Sequence, residues 1–135
     1  MIEILHRLLG LYMSLKTSHW NAEGDDFYQA HKLFEALYSD LDEQMDDLVE
    51  LLKALEEQEL SAKEILKQAI EFAYDGEGFE DDVKEAIRLI EELRKILQEI
   101  DSTQIDLGLY NFASTLSEKH LKKLYLLKAN VSGNN

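Results

Sequence analysis

The amino-acid sequence predicts an all-α protein, built as an antiparallel bundle of four long helices. The chain of 135 residues contains no proline and only six glycines, so little interrupts its long stretches of Leu, Glu, Lys and Ala, which favour helices. Apolar residues recur in these stretches at the spacing of an amphipathic helix. The first and last connections are short and the middle one is long, which is typical of a bundle with one crossover connection.

The helix bounds follow from this periodicity and from the residues that stop helices. We predict long helices from about Ile2 to Ala22, from Asp25 or Asp26 to about Glu56, from Phe79 to Ile100 and from Thr103 to Ala129. The crossover, Gln58 to Gly78, should hold a short helix, because Ser61 and Glu64 form a capping box. One domain is expected over residues 1–131, followed by a disordered tail over residues 132–135.

Composition excludes several kinds of function. There is no cysteine, so a metal can be bound only by His, Asp or Glu. The net charge of -14 repels phosphate backbones, which makes nucleic acid an unexpected partner. No apolar run approaches the roughly 20 residues of a membrane span, and no secretory signal is recognised at the start. We therefore expect a cytoplasmic protein without a membrane partner.

The second predicted helix carries four candidate metal ligands on one face. On a continuous helix, Glu35 lies at about 40°, Asp46 at about 60° and Glu50 at about 100° around the axis from His31. His31 and Asp46 are nevertheless separated by roughly 22 Å along that axis, whereas a metal ion needs its ligands within about 2 Å. These residues cannot bind one ion within a single chain.

They could bind one ion between two chains. A second copy, packed antiparallel about a two-fold axis near Tyr38 to Leu41, would bring His31 of one chain beside Asp46 of the other, and two-fold dimers are the commonest assemblies. His19 lies across a short turn and could complete an imidazole pair. Such nitrogen and oxygen ligands suit Fe, Mn or Zn, and oxidation chemistry favours Fe.

The sequence also resembles a known family in this region. The segment His19-Trp20-Asn21-Ala22-Glu23-Gly24, followed by Phe27, by His31 and by Asp46-x-x-x-Glu50, is similar in identity and spacing to the motif of the Dps proteins, or mini-ferritins. The resemblance extends over nearly the whole chain. It implies a ferritin-like four-helix bundle, with a short extra helix in the crossover, that assembles into a hollow homododecamer.

The resemblance further implies an iron-oxidising activity. His19 and His31 of one subunit, with Asp46 and Glu50 of its two-fold mate, would form a ferroxidase centre for two iron ions, and Glu35 would be a supporting carboxylate. Hydrogen peroxide, in preference to dioxygen, would accept two electrons from the iron pair, and ferric mineral would grow inside the shell. Trp20, beside a ligand, would quench stray radicals. Acidic three-fold pores would admit Fe(II) where the third helix ends and the fourth begins, here at Glu99, Asp101 and Asp106.

Other functions are weighed against this one. Some relatives bind DNA through a lysine-rich N-terminal arm, which we do not expect here because the sequence starts almost at the first helix. The two alternatives are a DNA-condensing nucleoid protein, which the lack of this arm disfavours, and an inert cage without catalysis. His120, among Lys119, Lys122 and Lys123, is interpreted as structural, through a favourable charge near a helix C-terminus.

Overall fold

The computed structural model describes residues 1–55 and 59–132. Within these residues the backbone forms six α-helices and no β-strand. The helices are α1 (Ile2–Trp20), α2 (Phe27–Tyr38), α3 (Leu41–Leu55), α4 (Ala62–Ala69), α5 (Phe79–Gln98) and α6 (Leu107–Ser132), with 3-10 turns at Gly24–Asp26 and Ile70–Phe72. The all-α prediction is confirmed, including the short helix in the crossover.

The bundle has four sides, formed by α1, by α2 and α3 in succession, by α6 and by α5. Each side packs on its neighbours: α1 contacts α2, α3 and α5, while α6 contacts α5, α3 and α2. The core between them consists largely of leucine, and its fully buried members include Leu8, Leu15, Leu37, Leu41, Leu48 and Leu127. Burial of these side chains is the main stabilising term of the fold.

The crossover is fixed against α1 by close backbone packing and by two serines. A side chain at Gly10 would meet the carbonyl oxygens of Phe72 and Ala69 at 2.6 and 2.7 Å, so only glycine allows α1 to approach this segment. Ser14 Oγ accepts a hydrogen bond from the amide of Tyr74 at 2.9 Å, and the Tyr74 hydroxyl is 2.7 Å from Ser18 Oγ. These contacts hold the last turns of α1, next to the candidate site.

The predicted capping residue of the crossover helix is confirmed. Ser61 precedes α4, and its hydroxyl accepts a hydrogen bond from the amide of Glu64 at 3.3 Å. The Glu64 carboxylate accepts from Gln68. The first residue of the predicted crossover, Gln58, lies outside the described residues.

The prediction of one continuous second helix is wrong. Helix α2 ends at Tyr38 and α3 begins at Leu41, with a turn at Ser39 and Asp40 between them. The Leu37 carbonyl oxygen accepts a hydrogen bond from Lys123 Nζ of α6 at 3.0 Å, and a side chain inserted into the backbone ladder is a known cause of a bend. We call this turn the α2–α3 break; the predicted end at Glu56 lies outside the described residues.

The remaining helix bounds differ from the predicted ones by a few residues. Helix α6 starts at Leu107 instead of Thr103 because the Asp106 carboxylate accepts hydrogen bonds from the amides of Gly108 and Leu109, which makes Asp106 its N-cap. Helices α1 and α5 each end two residues before the predicted bound, which is the usual uncertainty at a helix end. Helix α6 reaches Ser132, the first residue of the predicted tail, and residues 133–135 of that tail lie outside the described ones.

Candidate metal centre

His19 and His31 lie side by side at one end of the bundle. His19 is in the last turn of α1, His31 is in α2, and Gly24, with a φ of 71°, reverses the chain between them. That left-handed φ costs glycine little. The two imidazole rings are stacked, with centroids 3.8 Å apart and planes inclined by 25°. The structure thus brings together the two histidines that the sequence analysis paired.

The hydrogen bond of His19 fixes which of its nitrogens can bind a metal. His19 Nδ1 lies 2.8 Å from the backbone carbonyl oxygen of His31. A carbonyl oxygen only accepts, so Nδ1 carries a proton, and in the neutral form of imidazole the nitrogen with the free lone pair is then Nε2. In metal sites, a backbone carbonyl commonly accepts the other N–H of a ligand histidine and fixes its orientation in this way.

The His31 ring also has an unused nitrogen. His31 Nδ1 is buried, and no group in the described part of the chain forms a hydrogen bond with it. Phe27 stacks on the ring at a centroid distance of 5.0 Å, with planes inclined by 23°. The ring is therefore held between Phe27 and His19, which limits its rotation.

Aromatic residues and a lysine complete the surroundings of the pair. The Tyr38 ring contacts His19 edge to face at 5.3 Å, and Lys16 Nζ lies 5.5 Å from the centre of the Tyr38 ring and 5.8 Å from that of Trp20. Trp20 itself is 61% exposed, so it contributes little to the core. Neither Lys16 nor Tyr38 was predicted to lie beside the histidines, because a contact between side chains of two different helices leaves no local signal in the sequence.

The predicted carboxylate ligands lie apart from the histidines. Asp46 and Glu50 are exposed on α3 and, with Asp42, line an open groove of about 480 Å³ that also contains the apolar side chains of Met45 and Val49. No three His, Asp or Glu side chains among residues 1–55 and 59–132 are close enough together to hold a metal ion. Among the described residues, a single chain therefore holds two separate sets of predicted ligands, His19 with His31 and Asp46 with Glu50, which we call the candidate half-sites.

Glu35 belongs to neither half-site in the described contacts. It lies one turn after His31 on α2, is exposed, and its carboxylate is 3.9 Å from Lys32 Nζ. Its role as a supporting ligand remains a prediction. The α2–α3 break also changes the angles calculated for Asp46 and Glu50 on a continuous helix, because His31, from which they were measured, precedes the break and these two residues follow it.

The three predicted pore residues are in the connection between α5 and α6. Glu99 follows the end of α5, Asp106 caps α6, and all three carboxylates are exposed. Asp101 accepts hydrogen bonds from the amide and the hydroxyl of Thr103, at 2.9 and 2.8 Å, and these bonds lower the pKa of its carboxyl group. Asp101 and Asp106 thus have a local structural role besides any role in a pore.

The position of His120 has a different physical cause from the predicted one. His120 is fully buried within α6, and its Nε2 lies 2.9 Å from Gln44 Oε1 of α3. Burial, followed by the nearby charges of Lys123, Arg94 and Lys119, lowers the pKa of His120 to about 3. His120 is therefore a neutral core residue, and the helix dipole does not explain its position.

Comparisons with known proteins agree with this architecture. Residues 2–132 match the family model described as a ferritin-like domain. General stress protein 20U of Bacillus subtilis is 35% identical over 63 residues, which is 47% of this chain and 41% of that protein. The DNA protection during starvation protein of Helicobacter pylori is 38% identical over 45 residues, 33% of this chain and 31% of that protein. Both matches thus span less than half of the relative's length.

A solved structure extends the likeness to almost the whole chain. The X-ray structure of Dps from Thermosynechococcus elongatus superposes with a TM-score of 0.84, covering 96% of this chain and 85% of that one, at 23% sequence identity. At this identity the likeness concerns the fold. Within the described residues, no helix is both long and apolar enough to cross a membrane. The match over residues 2–132 shows that the chain belongs to the ferritin-like family.

Proposed function

We propose that this protein oxidises Fe(II), preferably with hydrogen peroxide, at a two-iron centre shared between subunits, and stores the ferric product inside a hollow dodecamer. The observation that carries the proposal is the His19 and His31 pair: its rings are stacked, and one nitrogen of His19 is kept free by a backbone hydrogen bond. Iron is the substrate, and its oxidation and storage would protect the cytoplasm against oxidative damage.

Each centre takes its nitrogen and oxygen ligands from different subunits. The separation of the two half-sites in one chain supports this arrangement. In an antiparallel pair of subunits, His19 and His31 would face Asp46 and Glu50 of the partner subunit, with Glu35 in support. The two-fold axis would pass near the α2–α3 break, and the apolar side chains beside Asp46 would be covered by the partner.

The reaction needs little from the protein beyond binding and positioning. Two Fe(II) ions each give one electron, the O–O bond of hydrogen peroxide breaks, and two protons are taken up to yield two waters and two Fe(III). Because both electrons reach peroxide together, no hydroxyl radical is released. Neutral imidazoles and carboxylates are suitable ligands for both iron oxidation states. Trp20, exposed next to His19, would reduce a radical that forms when only one iron is bound.

The names of the relatives are compatible with this chemistry. One is called a general stress protein and the other a DNA protection protein. For a chain with a net charge of -14, DNA would be protected by the removal of Fe(II) and peroxide, because direct binding to phosphates is electrostatically unfavourable.

Complementation between two inactive variants tests the shared centre. His31→Ala and Asp46→Ala each remove a ligand from both centres of a homodimer, so both should oxidise Fe(II) at close to the uncatalysed rate. In a mixed dimer, one centre takes its imidazoles from the Asp46→Ala chain and its carboxylates from the His31→Ala chain. Equal co-refolding should therefore restore about a quarter of the wild-type sites, because about half of the dimers are mixed and each has one intact centre.

The doubly substituted chain provides the matched control. When His31→Ala/Asp46→Ala is co-refolded with the wild type, both centres of a mixed dimer lack a ligand, so only about a quarter of the sites should remain. If one chain supplied all the ligands, this mixture would keep about half of its sites and the first mixture would have none.

An iron-soaked crystal should show anomalous signal between subunits. Asp47→Ala, about 100° away on the same helix, should leave oxidation unchanged.

A further inference from the structure

Helix α6 contacts the α2–α3 break through a buried lysine. The Lys123 side chain is 7% exposed, and its ammonium group donates to the Leu37 carbonyl oxygen at 3.0 Å and to Asp40 Oδ1 at 2.6 Å. Leu37 is in the last turn of α2, and Asp40 lies in the break itself. Lys123 therefore donates to a carbonyl oxygen that, in a continuous helix, would accept a hydrogen bond from the amide four residues later.

A second contact from α6 reaches the other side of the break. His120 is neutral and Gln44 Oε1 only accepts, so His120 Nε2 carries the proton and donates to Gln44 across 2.9 Å. Gln44 Nε2 in turn donates to Asp40 Oδ2 at 3.0 Å. Gln44 is in the first turn of α3 and is 3% exposed. The two contacts thus join α6 to the end of α2, to the break and to the start of α3; we call Lys123, Asp40, Gln44 and His120 the α6 clamp.

Burying the polar residues of the clamp in the core costs more free energy than burying apolar residues. Lys123 and His120 fall on the buried face of α6, on which Leu116 and Leu127 are also buried. An apolar residue would fill these two positions without removing an ammonium group from water. What an apolar residue could not provide is a defined hydrogen-bond geometry at the break.

We propose that Lys123, with Gln44 and His120, sets the angle between α2 and α3 and thereby positions the ligands of the shared iron centre. This inference rests on the proposed function. Helix α2 carries His31, whereas α3 carries Asp46 and Glu50, so every shared centre combines α2 of one subunit with α3 of the other. The clamp residues bind no iron themselves and act through the direction of these helices.

The distance from the break to the carboxylate ligands makes their positions sensitive to the angle between α2 and α3. Glu50 lies ten residues beyond Asp40, about 15 Å along the helix. A change of about 10° in the bend would move its backbone by about 2–3 Å, while metal ligands tolerate only about 0.2 Å around their ideal distances. A small relaxation of the break would therefore separate the carboxylates from the partner's histidines.

Binding of Co(II), a spectroscopically visible probe for nitrogen and oxygen sites, tests the proposal without relying on catalysis. The wild-type assembly should bind Co(II) with a d–d absorption band that His31→Ala abolishes. Lys123→Met keeps the length and apolar stem of the side chain but removes both hydrogen bonds. It should assemble, yet bind Co(II) at least about tenfold more weakly, the size of effect seen when the support of a metal ligand is lost. Lys123→Arg, which keeps a cationic donor, should recover part of this affinity.

A core variant on the same helix separates positioning from stability. Leu127→Ala creates a cavity one turn further along α6 and removes no hydrogen bond at the break, so it should lower the unfolding temperature while Co(II) affinity and spectrum stay as in the wild type. Equal binding by Lys123→Met and wild type would overturn the proposal. A loss of Co(II) affinity in Leu127→Ala, in proportion to its loss of stability, would also overturn the proposal.

Two further outcomes are decisive. If Lys123→Met does not assemble, Gln44→Met is measured by the same criteria. Failure of both to assemble, while Leu127→Ala assembles, would show that the clamp is needed for folding, and would overturn its role in positioning. Absence of Co(II) binding in the wild type would instead contradict the proposed function, and the positioning role would fall with it.

Discussion

The buried His120 should make the protein sensitive to acid in a way that can be calculated. Its pKa is lowered from the ordinary value of 6.5 to about 3 in the folded chain. Between these two values, the unfolded chain binds a proton that the folded chain does not. Stability must therefore fall as the pH falls through 6.5, and the loss stops only near the folded pKa.

The size of the effect follows from the same two values. Each pH unit below 6.5 favours the unfolded state by about 1.4 kcal/mol for one such group. Between neutral pH and about pH 5, His120 should therefore remove about 2 kcal/mol from the free energy of unfolding. This is a substantial part of the net stability of an ordinary domain.

Comparison with His120→Gln isolates this contribution from the many carboxylates that also titrate. Glutamine is neutral at every pH and has an amide that can face Gln44. Denaturant unfolding of both proteins, at one fixed protein concentration because assembly also contributes to stability, should be followed from about pH 7 to pH 5. The variant should lose about 2 kcal/mol less than the wild type over this range. Parallel pH profiles would refute the conclusion that His120 is held neutral in the folded protein.

Three further predictions concern the assembly, the pores and DNA. Analytical ultracentrifugation should detect a closed oligomer, and the proposed function predicts twelve subunits. A stable monomer at micromolar concentration would contradict a shared centre. Asp101→Asn combined with Asp106→Asn keeps the local hydrogen-bond acceptors, including the α6 cap, so the assembly should stay intact. Mineralisation should slow, and the deficit should be smaller at high salt because of screening. Unchanged rates at low salt would mean that iron enters elsewhere. In a gel-shift assay near 0.15 M salt without divalent metal, duplex DNA should not be retarded, and a retarded band would favour the nucleoid alternative.

Much of the fold was predictable because its determinants are local. Helix-forming composition, apolar periodicity and the capping residue Ser61 each act within a few residues, and the structure confirms the helices that they predict, except for the continuity of the second. The pairing of His19 with His31 was also predictable, since a short turn joins their helices. So was their separation from Asp46, which follows from the rise of a helix.

The α2–α3 break and the hydrogen bond that orients His19 were decided only by the tertiary structure. At the break, Leu37 and Asp40 accept hydrogen bonds from Lys123, which is more than eighty residues away in sequence, and the local sequence does not identify these partners. The polar residues His120 and Lys123 on the apolar stripe of α6 were the one available signal. The free nitrogen of His19 likewise depends on a backbone carbonyl of α2. Sequence periodicity determines which face of a helix is buried, whereas contacts between distant side chains and backbone groups exist only once the helices are packed.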